Sequence, residues 1–127
     1  MRVEEEGKPY SIEIENRGTY VYAIIGGLKV TPEMAKDYWT EIVDECKELG
    51  LNKILAEKNF IETISMDSLA QLNPYFTELF QGFTVAFVDR YHHDDISELG
   101  KKLARSSGVK MQIFADVDEA ENWLLAN

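Results

Sequence analysis

From Tyr10 to Glu15 the chain alternates: Tyr10, Ile12 and Ile14 are apolar, while Ser11, Glu13 and Glu15 are polar. A period of two is that of a half-buried strand. The turn-forming ENRG follows, and residues 20–25 are then apolar on both faces, as a central strand is. Together they predict a β-hairpin. Ahead of it, residues 1–7 contain the run EEEG and read as a frayed, solvated tail.

At Thr31 the spacing changes. Ala35, Tyr38, Ile42, Cys46 and Leu49 recur at helical intervals. Thr31 is a good N-cap, and Pro32 stands at the first helical position, where its missing N–H costs nothing. Gly50 closes the helix. NKILAE, residues 52–57, is a short strand. Residues 65–82 return to helical spacing, with Leu69, Leu72, Phe76 and Leu79 on one stripe. Pro74 interrupts that stripe, and Asn73-Pro74 has the form of a cap and first residue, so one helix or two short ones both fit.

FTVAFVD, residues 83–89, is the continuous apolar run of a buried parallel strand. DDISELGKKLARSSG predicts a helix capped by Asp95, with Glu98 completing a capping box and Ile96, Leu99 and Leu103 facing inward. Lys101, Lys102 and Arg105 suit the C-terminal end of its dipole. VKMQIFA is the last strand. The last helix has Asp116 as cap, Glu119 three residues on, and Ala120, Trp123 and Leu124 for packing. The order β-β-α-β-α-β-α-β-α predicts an α/β fold: an N-terminal hairpin, then βα units on a mostly parallel five-stranded sheet with four main helices.

Length and composition narrow the function. A chain of 127 residues, 45% apolar and 28% charged, fits one globular domain spanning 1–127. Its net charge of −10 repels phosphate backbones and anionic lipid, so nucleic-acid partners are disfavoured. The start MRVEEEGKPY has no apolar signal core, and no apolar run approaches the roughly 20 residues of a membrane span. The lone Cys46 forms no internal disulfide. A cytoplasmic protein without membrane insertion is expected.

In parallel sheets ligands bind beyond the carboxyl ends of the strands. Those ends carry Gly26-Gly27, Glu57-Lys58-Asn59, Asp89-Arg90 and Asp116. Asp67-Ser68 follows the second after a short loop, so the topology predicts a rim shared by Glu57, Asp67, Ser68 and Asp89. In the plain reading Asp67-Ser68 caps a helix. In the sharper one Ser68 is phosphorylated, its phosphate favoured by the helix N-terminus. YHHDD, residues 91–95, holds both histidines, but neighbouring loop residues rarely converge on one ion without a distant ligand, and a solvated helix-capping loop fits better. Gly26-Gly27 lacks the spacing of a phosphate cradle and is expected to ease the turn into the first helix. Cys46, on a buried helix face, is a poor nucleophile, and Ser68 lacks a G-x-S-x-G elbow. No metal, cofactor or catalytic set is predicted.

Aromatic residues give a second candidate. Tyr75, Phe76, Phe80 and Phe83 are either core or the surroundings of an apolar pocket opened at Pro74, with Phe76, Phe80, Phe83 and Trp39 as its lining; an exposed patch for a partner is a third option. Tyr38 and Trp39 are adjacent on a helix, so one of them is expected to be exposed, for instance at a homodimer contact.

The ordered set GGLKVTPEMAKDYW, FTVAFVD and KMQIFADVDEAENWL resembles the SpoIIAA-like (STAS/CRAL-TRIO-like) small bacterial single-domain proteins, and more distantly the anti-sigma-factor antagonists. The resemblance spans roughly residues 10–126 and implies βα units with the N-terminal strand added at an edge. It implies a non-enzymatic regulator. In the antagonists an Asp-Ser-Ser-Gly turn opens a helix, and a partner kinase phosphorylates its first serine. MDSLA keeps Asp67 and Ser68 there, with Leu69 and Ala70 in place of the second serine and the glycine. The related CRAL-TRIO fold carries lipids, although 127 residues leave little room for its large cavity.

The functional expectation is therefore a non-enzymatic STAS-like regulatory or protein-interaction domain, working through the Asp67-Ser68 turn and the following helix. The alternative is a small binding module for an apolar or lipid-like ligand. A metal enzyme using Asp89, His92 or His93 is the third reading.

Overall fold

A computed structural model of the chain describes residues 2–4 and 9–127. The strands β1 (Arg2–Glu4), β2 (Ser11–Asn16), β3 (Val21–Lys29), β4 (Lys53–Glu62), β5 (Thr84–Asp89) and β6 (Lys110–Phe114) lie side by side in chain order. β1, β2 and β3 are antiparallel neighbours, and β3 to β6 run parallel. The five expected strands are all present, and Arg2–Glu4 adds a sixth at the edge. The tail expected to fray is thus paired over those three residues; its remaining positions lie outside the described residues.

The helices are α1 (Pro32–Leu49), α2 (Met66–Leu79), α3 (Asp94–Ser106) and α4 (Val117–Ala126). Parallel crossovers are right-handed, and each here steps to the next strand in the same direction. α1, α2 and α3 therefore fall on one face of the sheet. α4, with no strand after it, folds back on the other face against β4, β5 and β6. The main core packs Ile12, Ile14, Val21, Ala23, Ile25 and Ile54 against α1 and α2. A smaller core joins Tyr20, Leu55, Ala86 and Val88 to Ala120 and Leu124 of α4.

Helix ends follow local chemistry. Thr31 Oγ1 accepts from the Met34 N–H at 3.2 Å, and Asp116 Oδ1 from the Glu119 N–H at 2.8 Å. Gly50 ends α1 at φ 72°, a left-handed conformation that glycine adopts without a Cβ clash. Two expected caps are corrected. α2 is capped by Ser65, whose Oγ accepts from the Ser68 N–H at 3.1 Å, so Asp67 and Ser68 lie inside its first turn. α3 starts at Asp94, with His93 rather than Asp95 at the cap position and no side-chain cap bond.

Packing overrides other local signals. α2 runs unbroken through Pro74 because Leu72 and Phe80 are buried on one side of it and Phe76 stacks on Phe80, 5.9 Å between centroids. Tyr75 adds a hydroxyl contact with Thr40 of α1. β4 continues five residues past NKILAE, because Gly26, Gly27 and Lys29 of β3 pair with Asn59, Phe60 and Glu62. Gly26-Gly27 is accordingly strand, not turn. A Cβ on Gly26 would lie 3.2 Å from both Asn59 Cβ and its carbonyl oxygen, so the absent side chain permits the close strand approach.

Tyr38 and Trp39 are both buried, which corrects the expected exposure of one of them. α1 is wedged between the sheet and α2, so it buries a wide arc. The Tyr38 ring meets Tyr10 and Phe60 at 5.7 and 5.8 Å, and Trp39 meets Phe80 and Phe87 at 5.1 and 5.7 Å. Leu49, in the last turn of α1, is exposed instead of packed.

The caps give a direct test. Ser65→Ala is expected to cost about 1 kcal/mol of unfolding free energy in urea, while Ser68→Ala, which keeps the capped N–H, stays within about 0.5 kcal/mol. Equal losses would refute the assignment of Ser65 as the cap.

Candidate functional site

Alternation along β4 places neighbouring charged residues on opposite sides of the sheet. Glu57 shares the parity of Leu55 and faces the α4 side; Lys58 shares that of Ile54, Ala56 and Phe60 and faces α1–α3. In register, Glu57 stands beside Val88, and Lys58 beside Asp89. The predicted common rim of Glu57 with Asp89 is therefore divided: they stand at nearly the same level with the sheet between them. Asp67 is exposed and Ser68 half-buried, in the first turn of α2 beyond the end of β4.

Glu57 is 5% exposed and its carboxylate is fully engaged. It accepts from Tyr22 OH at 2.7 Å, from the Arg90 guanidinium at 2.7 Å and from Asn59 Nδ2 at 3.3 Å. Burial alone would raise its pKa, but the hydrogen bonds from Tyr22, Arg90 and Asn59 and the attraction of Arg90 outweigh it and hold the carboxyl below its ordinary value. Burial first, then the bond to Glu57, pushes the Tyr22 hydroxyl up. The Arg17 guanidinium lies 4.8 Å from the Tyr22 ring centroid. This cluster reads as a satisfied ionic clasp between β3, β4 and the end of β5.

Under α1, α2 and α3 lies a cavity of about 100 Å³. Of the aromatic residues singled out in the sequence, Trp39, Phe76 and Phe80 line it, while Phe83 is buried outside the lining. Lys58 and Asp89 complete one wall. Burial pulls the Lys58 ammonium down to about 8, against the opposing pull of Asp89. Its contacts are with the Phe87 ring, 5.2 Å from the centroid, and no hydrogen bond or ion pair engages it among the described residues. Lys58 was not singled out in the sequence. Its signal is the strand parity, a lysine in step with Ile54, Ala56 and Phe60.

Asp89 is occupied from the loop that follows it. Its carboxylate accepts the backbone N–H groups of Tyr91 at 3.2 Å and His93 at 3.0 Å, and faces His93 Nδ1 at 3.0 Å. The other ring nitrogen, Nε2, is 3.0 Å from the Ile61 carbonyl oxygen. His93 thus ties the β5–α3 loop to the end of β4, a role the plain reading of YHHDD as a capping loop did not contain. His92 is exposed and takes φ 53° in the turn. Among the described residues no group of three or more His, Cys, Asp or Glu side chains is placed to hold a metal ion. Cys46 is fully buried, and burial pushes its thiol up to about 12, which disfavours the thiolate.

The same end of the sheet gathers exposed apolar side chains: Leu28 at the end of β3, Ile61 at the end of β4, Met66 opening α2 and Tyr91 after β5, exposed by 66, 55, 52 and 49%. Leu28 and Ile61 occupy adjacent strands between the paired positions Gly27–Phe60 and Lys29–Glu62, so they lie side by side. Among the described residues no helix is long and apolar enough to cross a membrane.

No protein-family model matches the chain, and no curated protein matches it in sequence. Its fold is SpoIIAA-like. It superposes on the crystal structure of an uncharacterized protein of the DUF3478 family with a SpoIIAA-like fold, from Shewanella loihica PV-4, with a TM-score of 0.58 and 14% identity over 95% of this chain and 98% of that one. The structure of apo-SiaC from Pseudomonas aeruginosa gives a TM-score of 0.47 and 14% identity, over 91% of this chain and 100% of that one.

Two titrations check the opposed environments of Glu57 and Lys58. A depressed carboxyl contributes stability that is lost as pH falls through its folded pKa. Relative to Glu57→Gln, the wild type should lose unfolding free energy as pH drops below about 4. A lysine depressed to about 8 in the fold and near 10.4 when unfolded leaves the unfolded chain holding more protons between those values. The wild type should therefore gain stability relative to Lys58→Met as pH rises from 8 toward about 10.4. A pH-independent difference in either pair would contradict the assigned environment.

Proposed function

We propose that this protein is a non-catalytic STAS-like regulatory domain that docks a partner protein through the carboxyl end of its sheet and the first turn of α2. The observation that carries this is the exposure of Leu28, Ile61, Met66 and Tyr91 at that end, while most other large apolar residues among those described are covered. An apolar group rimmed by polar residues is the usual signature of a protein contact. Similarity to a SpoIIAA-like fold supports a regulator but identifies no partner.

In this reading Ser68 is the switch. It sits in the first turn of α2, one residue after exposed Asp67 and two after Met66. A phosphate there gains from the helix N-terminus, so the helix tolerates it, while nearly two added charges beside an apolar contact weaken docking. Glu57 shares the face of Ile61 but is buried and fully engaged by Tyr22, Asn59 and Arg90, so it serves the fold and takes no part in this surface.

The test is site-specific photocrosslinking from position 66 in the protein's own cells, with mass spectrometry of the adducts and of Ser68. One dominant protein adduct is expected, lost when Ile61→Asp is introduced and reduced by at least about tenfold in Ser68→Glu. Adducts indifferent to Ile61→Asp would overturn the docking surface. Retained crosslinking in Ser68→Glu, with no phosphate on Ser68 under any growth condition, would remove the switch and leave the surface.

A further inference from the structure

We propose that the cavity beneath α1, α2 and α3 is a binding site for a small monocarboxylic acid with a short or branched apolar body, its carboxylate held by Lys58. This site stands apart from the docking surface and does not rest on it.

Lys58 presents a positive charge that the protein itself leaves uncompensated by direct contact. Its register neighbour Asp89 attracts it through space but makes no hydrogen bond or ion pair with it; the Asp89 carboxylate instead accepts the Tyr91 and His93 N–H groups and faces the His93 ring. An ammonium half withdrawn from water without an acceptor carries a desolvation cost, and chains normally pair it or replace it. Here it lines an open space instead. With its pKa lowered only to about 8, it remains mostly charged at neutral pH. An anion entering the cavity gains a charge-assisted hydrogen bond without displacing an existing partner. The Ser97 hydroxyl, on the α3 wall of the same cavity, offers a second donor.

Gly100 supplies an independent argument. It lies in the interior of α3, where glycine is less favourable than alanine. Its φ is not in the left-handed region, and an added Cβ would meet only Leu69 and Met111 side-chain atoms, each at an ordinary 3.9 Å. Neither backbone conformation nor crowding requires a glycine there. What the missing side chain preserves is space, since Gly100 lines the cavity.

The walls and size define the ligand. Trp39, Phe76, Phe80 and Phe87 demand an apolar body. A volume of about 100 Å³ is smaller than a 150 Å³ cavity that accepts benzene, so a body of a few carbons fits and a long acyl chain does not. One ammonium suits a singly charged carboxylate better than a strongly hydrated phosphate.

The experiment is a methyl-resolved NMR titration of the full chain with isobutyrate, its neutral isostere isobutyramide, and decanoate. Saturable shifts at the methyl groups of Leu69, Ile96, Leu103 and Met111 are expected with isobutyrate, with isobutyramide weaker by about tenfold or more. Lys58→Met should abolish the preference for acid over amide. Gly100→Ala should raise the thermal midpoint while weakening isobutyrate binding, a pair of effects that simple destabilisation does not produce. Should Lys58→Met fail to fold, the acid–amide comparison and Gly100→Ala decide the matter. No saturable shift at those methyl groups with isobutyrate, equal binding of acid and amide, or an unchanged affinity in Gly100→Ala would overturn the proposal. Decanoate binding more tightly than isobutyrate would overturn it in favour of a lipid-derived acid.

Discussion

Side chains alternate strictly along β4, and that two-residue period divides the molecule into its two chemistries. Leu55, Glu57 and Asn59 go to the α4 side, while Ile54, Ala56, Lys58 and Phe60 go to the side of α1, α2 and α3. β4 pairs with β3 from Ile54 to Glu62 and with β5 from Lys53 to Lys58, so a shift by one residue would exchange every one of these positions. The close approach of β3 at Gly26 carries this register out to Glu62.

The two charges separated in this way meet different fates. Glu57 finds three donors on β3, β4 and the end of β5, and its burial is compensated. Lys58 finds an aromatic ring and the more distant charge of Asp89, whose hydrogen bonds go to Tyr91 and His93. A polar core group that is fully satisfied fixes the local structure. One that is not satisfied, beside a space, is more readily explained by a ligand than by stability. The His93 contacts that engage Asp89 are thus as important to the character of Lys58 as anything on β4.

Sequential strand order has its own consequence. Three successive right-handed crossovers place three helices on one face, and α4 alone covers part of the other. The carboxyl ends of the parallel strands and the start of α2 then open at one end of the molecule. That end carries Leu28, Ile61, Met66 and Tyr91 in solvent. Docking outside and a small cavity within are compatible, since α2 contributes to both: its first turn to the surface and Phe76 and Phe80 to the cavity.

Much of this was legible in the chain alone. Alternation in residues 10–15, the Thr31-Pro32 start and Gly50 stop of α1, the apolar run of β5 and the Asp116 cap all correspond to local interactions, which the sequence states directly. The α/β class and the five strands from residue 11 onward followed from them. Other features needed partners distant in sequence. Whether α2 survives Pro74 depended on what its aromatic side packs against, and whether β4 ends at Glu57 depended on β3 running alongside it. Trp39, Phe76 and Phe80 were recognisable as a group, yet only packing separated Phe83 from the cavity they line. The pairing of Glu57 with Tyr22 and Arg90, the diversion of Asp89 to His93 and the isolation of Lys58 were decided by tertiary structure, because each is set by which groups the fold brings within a few ångströms across strands far apart in the chain.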